Sequence, residues 1–289
     1  MAPKLAKARE KAYLEIMIAT ILWGVSYPIN RIALGYSGPM TLGALRGGWC
    51  ALFFVLYFLA FKKRITRENI WLFIGISLTG LVLPLCLLNI GMLRTTASLS
   101  GIIQATAPLG IVVMAYFVLK EPATKAKWLG VLLGLFGTAL VVLQGSNGDS
   151  TIFGNLLIFG SAISLATLAI LEKIAVSRHE YTPAYIMGVT SILGFPVLLI
   201  LSLCLEGGAV ASHAVTAYAF LLALPCTVVP YLFWLDALRK IDISKASLFM
   251  YCIPIFGIFF SVILLNEMIT GIMVVGMAII FLGVFIAQK

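Results

Sequence analysis

The sequence predicts an all-α polytopic membrane protein with ten transmembrane helices, arranged as two inverted repeats of five helices each. Three observations predict this fold: the apolar composition, ten apolar segments of about 20 residues each, and motifs that recur at one constant interval along the chain. Of the 289 residues, 62% are hydrophobic and 11% are charged, whereas soluble domains have roughly 25% charged residues. A soluble fold could not cover its surface with so few charges, which excludes a cytosolic enzyme, a disordered chain and a small secreted scaffold.

Ten apolar segments follow one another along the chain, and each is long enough to cross a hydrocarbon core about 30 Å thick. They are predicted to be helices, because a backbone exposed to lipid must complete its hydrogen bonds within its own segment. A basic N-terminal tail, residues 1–12, precedes them, and the first segment is too long for a signal-peptide core. The predicted spans are 13–36, 40–61, 70–92, 97–119, 126–144, 152–176, 183–205, 214–238, 244–265 and 269–287.

The distribution of Lys and Arg orients these spans. With the N-terminus in the cytoplasm, 17 of the 20 basic residues lie on the inner side, in the tail, in loops, at the inner ends of spans or at the C-terminus, as the positive-inside rule requires. The exceptions are Arg31, Arg46 and Arg94. The net charge of +9 therefore reflects topology rather than nucleic-acid binding. We expect both termini to be cytoplasmic and the membrane to be a bacterial inner membrane.

The two halves of the chain share motifs at one constant interval, the separation of Pro108 from Pro254, which we call the repeat offset. The chain is therefore divided into a first repeat, 13–146, and a second, 147–289. Because five spans is an odd number, the second repeat must enter the membrane inverted relative to the first. The loop at 120–127 is basic and its counterpart at 266–271 has no Lys or Arg, which agrees with inversion. The matched pairs are Pro108 with Pro254, Glu121 with Glu267, Thr124 with Thr270, Gly130 with Gly276 and Gly137 with Gly283.

Prolines interrupt the predicted helices at matching places. Pro84 corresponds to Pro230 and Pro108 to Pro254, while Pro28 interrupts the first span. Each proline leaves the carbonyl four residues back without its helical partner. Broken helices in inverted repeats are typical of alternating-access carriers and mark a site near the midplane. We predict that these five prolines line or gate a central cavity; simple helix bending is the alternative.

Arg46 is the most informative single residue. It lies six residues into its span, about 9 Å below the outer surface, where an arginine must face a wet or paired interior. Two roles stay open for it: a cation that receives a substrate carboxylate or latches an outer gate, or a structural donor to freed carbonyls. With Arg46, the candidate substrate-binding residues are Trp23, Tyr27, Asn30, Asn89, Gln104, Tyr231, Trp234, Ser247 and Tyr251.

The acidic residues are predicted to be structural. Glu15, Glu172 and Asp236 fall near the inner ends of their spans. Glu121 and Glu267 fall at the starts of the fifth and tenth helices, where the helix dipole stabilises a negative charge. No carboxylate is expected at mid-depth, so the sequence predicts no proton relay and favours facilitated export or exchange at least as much as proton coupling.

Catalysis, metals and cofactors are not predicted. The five cysteines lie in or beside apolar segments without metal-ligand spacing. Both histidines fall in predicted loops, and there is no glycine-rich phosphate loop. The expected partners are a small-molecule substrate and the lipid bilayer, with no nucleic acid. Both a monomer and a homodimer are compatible with the sequence.

An ordered set of motifs runs through nearly the whole chain. Trp23-Gly24 lies in the first span and Leu45-Arg46 early in the second, and one block then occurs in each half. The block reads Met92-Leu93-Arg94, Pro108, Glu121, Gly130 and then Ala237-Leu238-Arg239, Pro254, Glu267, Gly276. In this the sequence resembles the EamA-like transporters of the drug/metabolite transporter superfamily. The resemblance implies ten helices in inverted repeats and export of small metabolites or drugs. The second half departs from it, since Thr190 stands near the place of Arg46.

These observations predict a secondary exporter of small amphipathic metabolites, amino acids first and aromatic or other hydrophobic ones among them, or of drugs. A sugar-phosphate or nucleotide-sugar exchanger is the alternative within transport, but it would need two or more deep Lys or Arg residues to hold a phosphate. This chain has one such residue, Arg46. A membrane scaffold that transports nothing is the alternative of a different class.

Overall fold

The helices of the computed structural model fall on the predicted apolar segments. The described residues are 2–62, 65, 67–120, 124–143, 151–179, 181–207, 212–238, 250 and 252–287. Within them the structure is all-helical, and seven helical stretches are long and apolar enough to cross a membrane, with two shorter apolar helices near the C-terminus. The protein is therefore a multi-pass membrane protein, and the count of ten spans remains a prediction.

The helices are labelled in chain order. Most begin and end within a few residues of the predicted limits, and α1 takes in all but the first residue of the predicted tail. Their bounds are α1 Ala2–Leu34, α2 Pro39–Ala60, α3 Ile70–Ser77, α4 Leu83–Met92, α5 Ala97–Gln104, α6 Ala107–Leu119, α7 Lys125–Leu143, α8 Ile152–His179, α9 Pro183–Glu206, α10 His213–Ala223, α11 Val229–Leu238, α12 Cys252–Leu265 and α13 Gly271–Ala287.

Two spans contain a π-helical turn at the same relative position. Leu78–Val82 joins α3 to α4, and Leu224–Val228 joins α10 to α11, so the two turns are separated by the repeat offset. The matched prolines Pro84 and Pro230 lie just after the two turns. A proline cannot donate a backbone hydrogen bond, which accounts for the irregular helix just before it. Single π-helical turns occur frequently at functional sites.

The fourth predicted span is discontinuous. α5 ends at Gln104, and α6 begins at Ala107 with Pro108 in its first turn. The hydroxyl of Thr106, between the two helices, donates to the carbonyl oxygen of Ile103 at 2.7 Å. The Thr106 backbone amide donates to the same oxygen at 3.1 Å, so both groups of Thr106 pair locally at the break.

The fifth and tenth predicted spans, α7 and α13, run antiparallel and meet at glycines. A Cβ on Gly137 would lie 2.9 Å from the carbonyl oxygen of Gly276, and one on Gly283 would lie 2.6 Å from that of Gly130. The repeat offset relates Gly130 to Gly276 and Gly137 to Gly283. The contact is therefore reciprocal between equivalent residues, as a two-fold relation between the two surfaces would produce.

We expect Gly283→Ala to lower the free energy of unfolding by about 1–3 kcal/mol, because its Cβ would lie 2.6 Å from the backbone nitrogen of Gly134. Thermal unfolding of the purified protein in detergent measures the effect. The matched control is Gly271→Ala on the same helix, where nothing lies within 4 Å of an added Cβ. Equal melting temperatures for the two variants would contradict the close α7–α13 contact.

Candidate functional site

A cavity of about 190 Å³ lies among helices of both halves of the chain. Residues from α1, α2, α4, α5, α6, α8, α11 and α12 and from both π-helical turns line it. Its wall is mostly apolar, with a small set of polar and aromatic groups, which is typical of small-molecule sites. Those groups are Trp23, Ser26, Tyr27, Arg46, Gln104, Ser161, Glu172, Thr227, Tyr231 and Trp234.

Most of the cavity wall follows the internal repeat. Eight pairs of lining residues are related by the repeat offset, so equivalent places in the two halves face one space. Where the members of a pair differ, the second half supplies the aromatic or charged group in three cases. The pairs are Trp23 with Ala169, Ser26 with Glu172, Leu81 with Thr227, Leu85 with Tyr231, Leu88 with Trp234, Gln104 with Met250, Ala107 with Ile253, and Pro108 with Pro254.

Arg46 is anchored to the opposite half of the chain. It is 8% exposed, and its Nε and Nη2 both donate to the Thr227 hydroxyl oxygen, at 3.0 and 2.7 Å. That hydroxyl in turn donates to the carbonyl oxygen of Leu222 at 2.7 Å. The guanidinium is held along one edge, while no described residue accepts a hydrogen bond from its Nη1. Both roles predicted for Arg46, a structural donor and a cation facing the cavity, are compatible with this geometry.

Aromatic rings form one side of the cavity. The ring of Trp23 meets those of Tyr231 and Trp234 edge to face, with centroids 5.3 and 6.1 Å away. Edge-to-face packing of this kind holds rings in defined orientations. Tyr27, one turn beyond Trp23, lies against Gly257, where an added Cβ would be 3.4 Å from its ring. Of the five aromatic residues predicted to bind substrate, Trp23, Tyr27, Tyr231 and Trp234 line the cavity.

Gln104 is held at the break between α5 and α6. Its Nε2 donates to the Ser161 hydroxyl at 2.9 Å, and that hydroxyl donates to the carbonyl oxygen of Pro84 at 3.2 Å. The Oε1 of Gln104 is buried and has no partner among the described residues. A buried acceptor without a partner is costly unless a ligand or water donates to it.

Glu172, which is predicted to be structural and near the inner end of its span, lines the same cavity. It lies on α8 and is 8% exposed. Because α8 continues to His179, Glu172 is seven residues, about 10 Å, inside the helix end. No described residue donates a hydrogen bond to it or forms an ion pair with it. The signal in the sequence was its correspondence, through the repeat offset, to Ser26 in the polar stretch of the first span.

Asn30 and Asn89 lie away from the cavity, although both are predicted to bind substrate. Asn30 Nδ2 donates to Asn89 Oδ1 at 2.9 Å, and Asn89 Nδ2 donates to the carbonyl oxygen of Pro39 at 2.9 Å. Both side chains are buried. They join α1 and α4 to the start of α2, while the Oδ1 of Asn30 is buried without a partner among the described residues.

Three of the five predicted prolines line the cavity and two do not. Pro84, Pro108 and Pro254 line the cavity, whereas Pro28 and Pro230 are not part of its lining. The predicted site residues Ser247 and Tyr251 lie outside the described residues, as does Glu121.

Glu206, the last residue of α9, caps the first turn of α2. Its two carboxylate oxygens accept hydrogen bonds from the amides of Met40 and Thr41, each at 2.8 Å, and the Thr41 hydroxyl donates at 2.7 Å. A Cβ at position 38 would clash with this carboxylate, so a larger residue there would displace the Glu206 side chain. The carboxylate satisfies amides that have no helical partner and lies at the positive end of the helix dipole.

Glu267 makes the equivalent contact with α5. Its two carboxylate oxygens accept from the amides of Ala97 and Ser98, each at 2.8 Å. The prediction that Glu267 is stabilised by the helix it precedes is therefore corrected, since α13 begins only at Gly271. In both contacts an acid of the second half holds a helix start of the first half. Both lie at the end of the bundle that is predicted to face outward, the outer end.

An apolar cluster separates the cavity from these two caps. It includes Leu42, Met92 and Ile258, each one helical turn outward from a residue that lines the cavity. The cluster draws on helices of both halves, and its members are buried. In this structure the cavity is therefore closed toward the outer end.

Comparison with known proteins also finds two matching ranges, one in each half of the chain. The EamA-like transporter family matches residues 10–143 and again 152–288. The uncharacterized transporter YetK of Bacillus subtilis is 25% identical, over 98% of this chain and 88% of that protein. A probable amino-acid metabolite efflux pump of Escherichia coli is 25% identical, over 93% of this chain and 92% of that protein.

A crystal structure with 18% sequence identity has the same fold, with a TM-score of 0.68 over 96% of each chain. The family match spans almost all of the sequence, and its two ranges contain the helices that surround the cavity. The chain therefore belongs to the EamA-like transporter family.

Proposed function

We propose that this protein exports small amphipathic metabolites, with apolar or aromatic amino acids as the first class, by alternating access through the central cavity. The observation that carries the proposal is the cavity shared by both halves, which Arg46 lines together with the aromatic residues Trp23, Tyr231 and Trp234. A carboxylate can pair with the guanidinium while an apolar side chain packs on the rings.

Three features support the inverted repeat that alternating access needs. The π-helical turns are separated by the repeat offset, the α7–α13 contact is reciprocal, and the cavity wall consists largely of equivalent residues. The family also matches the chain in two ranges, which supports the division into repeats at 13–146 and 147–289. Two similar halves can exchange their packing arrangements, so that one side opens as the other closes.

The size of the cavity favours a small solute. Its volume is about 190 Å³. An engineered cavity of roughly 150 Å³ admits benzene, and drug-sized ligands occupy pockets of roughly 300–1,000 Å³. A single amino acid is therefore a better match than a nucleotide sugar. The printed name of the Escherichia coli relative, a probable amino-acid metabolite efflux pump, supports the same class.

Charge disfavours the phosphate alternative. Among the described lining residues, Arg46 is the only Lys or Arg, and Glu172 lines the same space. A phosphate dianion would meet one fixed cation and an acidic side chain, whereas phosphate sites gather several donors. A sugar-phosphate or nucleotide-sugar exchanger is thus the less supported candidate.

Counterflow in proteoliposomes tests the proposal against a non-transporting scaffold. Vesicles loaded with unlabelled amino acids should accumulate the labelled amino acid faster than protein-free vesicles. The panel should include phenylalanine, leucine and threonine, with a sugar phosphate for the alternative. Flux equal to that of protein-free vesicles for every amino acid would defeat the proposal.

We expect Arg46→Ala to reduce amino-acid flux about tenfold or more, because a hydrogen bond to a charged group contributes about 1.5–3 kcal/mol. Equal amounts of folded protein must be reconstituted and compared. Arg67→Ala, which removes an exposed arginine in a loop, is the matched control and should keep wild-type flux. Wild-type flux in Arg46→Ala would remove Arg46 from substrate binding and leave it the structural role.

Alternating access also requires the outer end to open. We expect Glu206→Gln combined with Glu267→Gln to favour the outward-open state about tenfold or more, since charged hydrogen bonds to four helix amides are weakened. The measurement is labelling of Leu99→Cys, in a chain whose five native cysteines are replaced, by a membrane-impermeant thiol reagent. Leu99 is buried in the apolar cluster at the outer end.

Glu68→Gln, an exposed acid at the opposite end of the bundle, is the control for this experiment. It should leave the labelling rate at the wild-type value. Unchanged labelling in the double variant, with an unchanged melting temperature, would mean that the two caps do not govern opening of the outer end.

A further inference from the structure

We propose that Glu172 and the aromatic residues beside it form a cation-binding subsite, which receives the protonated amine of the transported solute. The inference rests on the proposed function and adds the chemical group that the solute must carry. It assigns a ligand to a carboxylate that the fold itself does not use.

Glu172 lacks the partners that a structural carboxylate would have. It is 8% exposed and lines the cavity, yet no described residue forms a hydrogen bond or ion pair with it. Glu15 is equally buried, at 8% exposed, but it pairs with Lys11 at 3.5 Å. A buried carboxylate without a partner is costly, and an acid inside a membrane span is expected to serve a pathway or a binding site.

The groups around Glu172 suit an organic cation. Tyr231 lines the same cavity as Glu172, and its ring packs edge to face with Trp23 at 5.3 Å. Trp23 also contacts Trp234. Aromatic faces attract ammonium groups, most strongly where water is excluded. A carboxylate that lines one cavity with three aromatic rings therefore favours an amine over an anion or a neutral solute.

Arg46 and Glu172 line the same cavity but do not pair with each other. Arg46 lies seven residues from the start of α2 at the outer end, and Glu172 lies seven residues from the end of α8 at the opposite end. Each is therefore about 10 Å inside its own end of the bundle. By helix position, the cation thus lies toward the outer end and the carboxylate toward the inner end.

Equilibrium binding to purified protein tests the subsite with three probes that share one ring. L-phenylalanine carries both charges, phenethylamine lacks the carboxylate, and N-acetyl-L-phenylalanine lacks the ammonium. The wild type should bind phenethylamine and L-phenylalanine more tightly than the N-acetyl compound. Glu172→Gln should raise the Kd for phenethylamine about tenfold or more, the effect of losing a charged hydrogen bond, and leave the Kd for N-acetyl-L-phenylalanine unchanged.

Two further variants test whether the change in amine binding is specific to the negative charge at position 172. Glu15→Gln removes an equally buried acid outside the cavity and should leave all three Kd values unchanged. Glu172→Asp keeps the charge and should retain the preference for phenethylamine over the N-acetyl compound, which keeps the proposal testable should Glu172→Gln fail to fold. Equal binding of phenethylamine by wild type and Glu172→Gln overturns the subsite, as does a wild type that binds neither amine.

Failure of the proposed function can be distinguished from failure of the cation-binding subsite. Binding is measured without a membrane gradient, so an absence of amino-acid flux in proteoliposomes leaves the binding result intact. Conversely, amino-acid flux that is equal in wild type and Glu172→Gln, together with equal amine binding, would remove the subsite while the exporter function stands.

Discussion

Backbone hydrogen bonds that a lipid-embedded helix cannot complete for itself determine where this protein places its polar groups. Lipid offers no partner, so each carbonyl freed by a proline or a π-helical turn needs a side chain nearby. Ser164 donates to the carbonyl of Thr79 in the first π-helical turn, and Thr227 donates to that of Leu222 beside the second. Because Thr227 also accepts from Arg46, the irregular backbone fixes the one cationic group of the described cavity wall.

The site is asymmetric, although equivalent residues of the two halves line one space. Tyr231 lines the cavity where Leu85 does in the first half, and Glu172 where Ser26 does. The differences between these paired residues supply the polar and aromatic chemistry of the cavity wall.

The sequence predicted the apolar helices well, because hydropathy and prolines act locally. It predicted the partners of polar side chains poorly. Asn30 and Asn89 are polar, central and 59 positions apart, and only the packing of α1 against α4 shows that they bond to each other. Glu172 was placed by its distance from a span end, although the rotation of α8 decides whether its side chain meets lipid, protein or cavity. Glu267 was assigned to the helix that follows it because a long-range contact with Ala97 has no local signal.

The caps at the outer end have an energetic property that suits a carrier. A hydrogen bond between a carboxylate and the amides at the start of a helix is strong in isolation. At an end of the bundle, water can replace both partners. The net contribution of the hydrogen bond to the stability of the closed state is therefore only about 0.5–3 kcal/mol. A carrier alternates between a state closed at its outer end and a state closed at its inner end. These two states must have similar free energies, because a state favoured by much more than about 5 kcal/mol is seldom left. Glu206 and Glu267 hold the outer end with groups that water can replace, whereas the apolar cluster beneath them excludes water. Closure of this kind is compatible with the alternating access proposed for this protein.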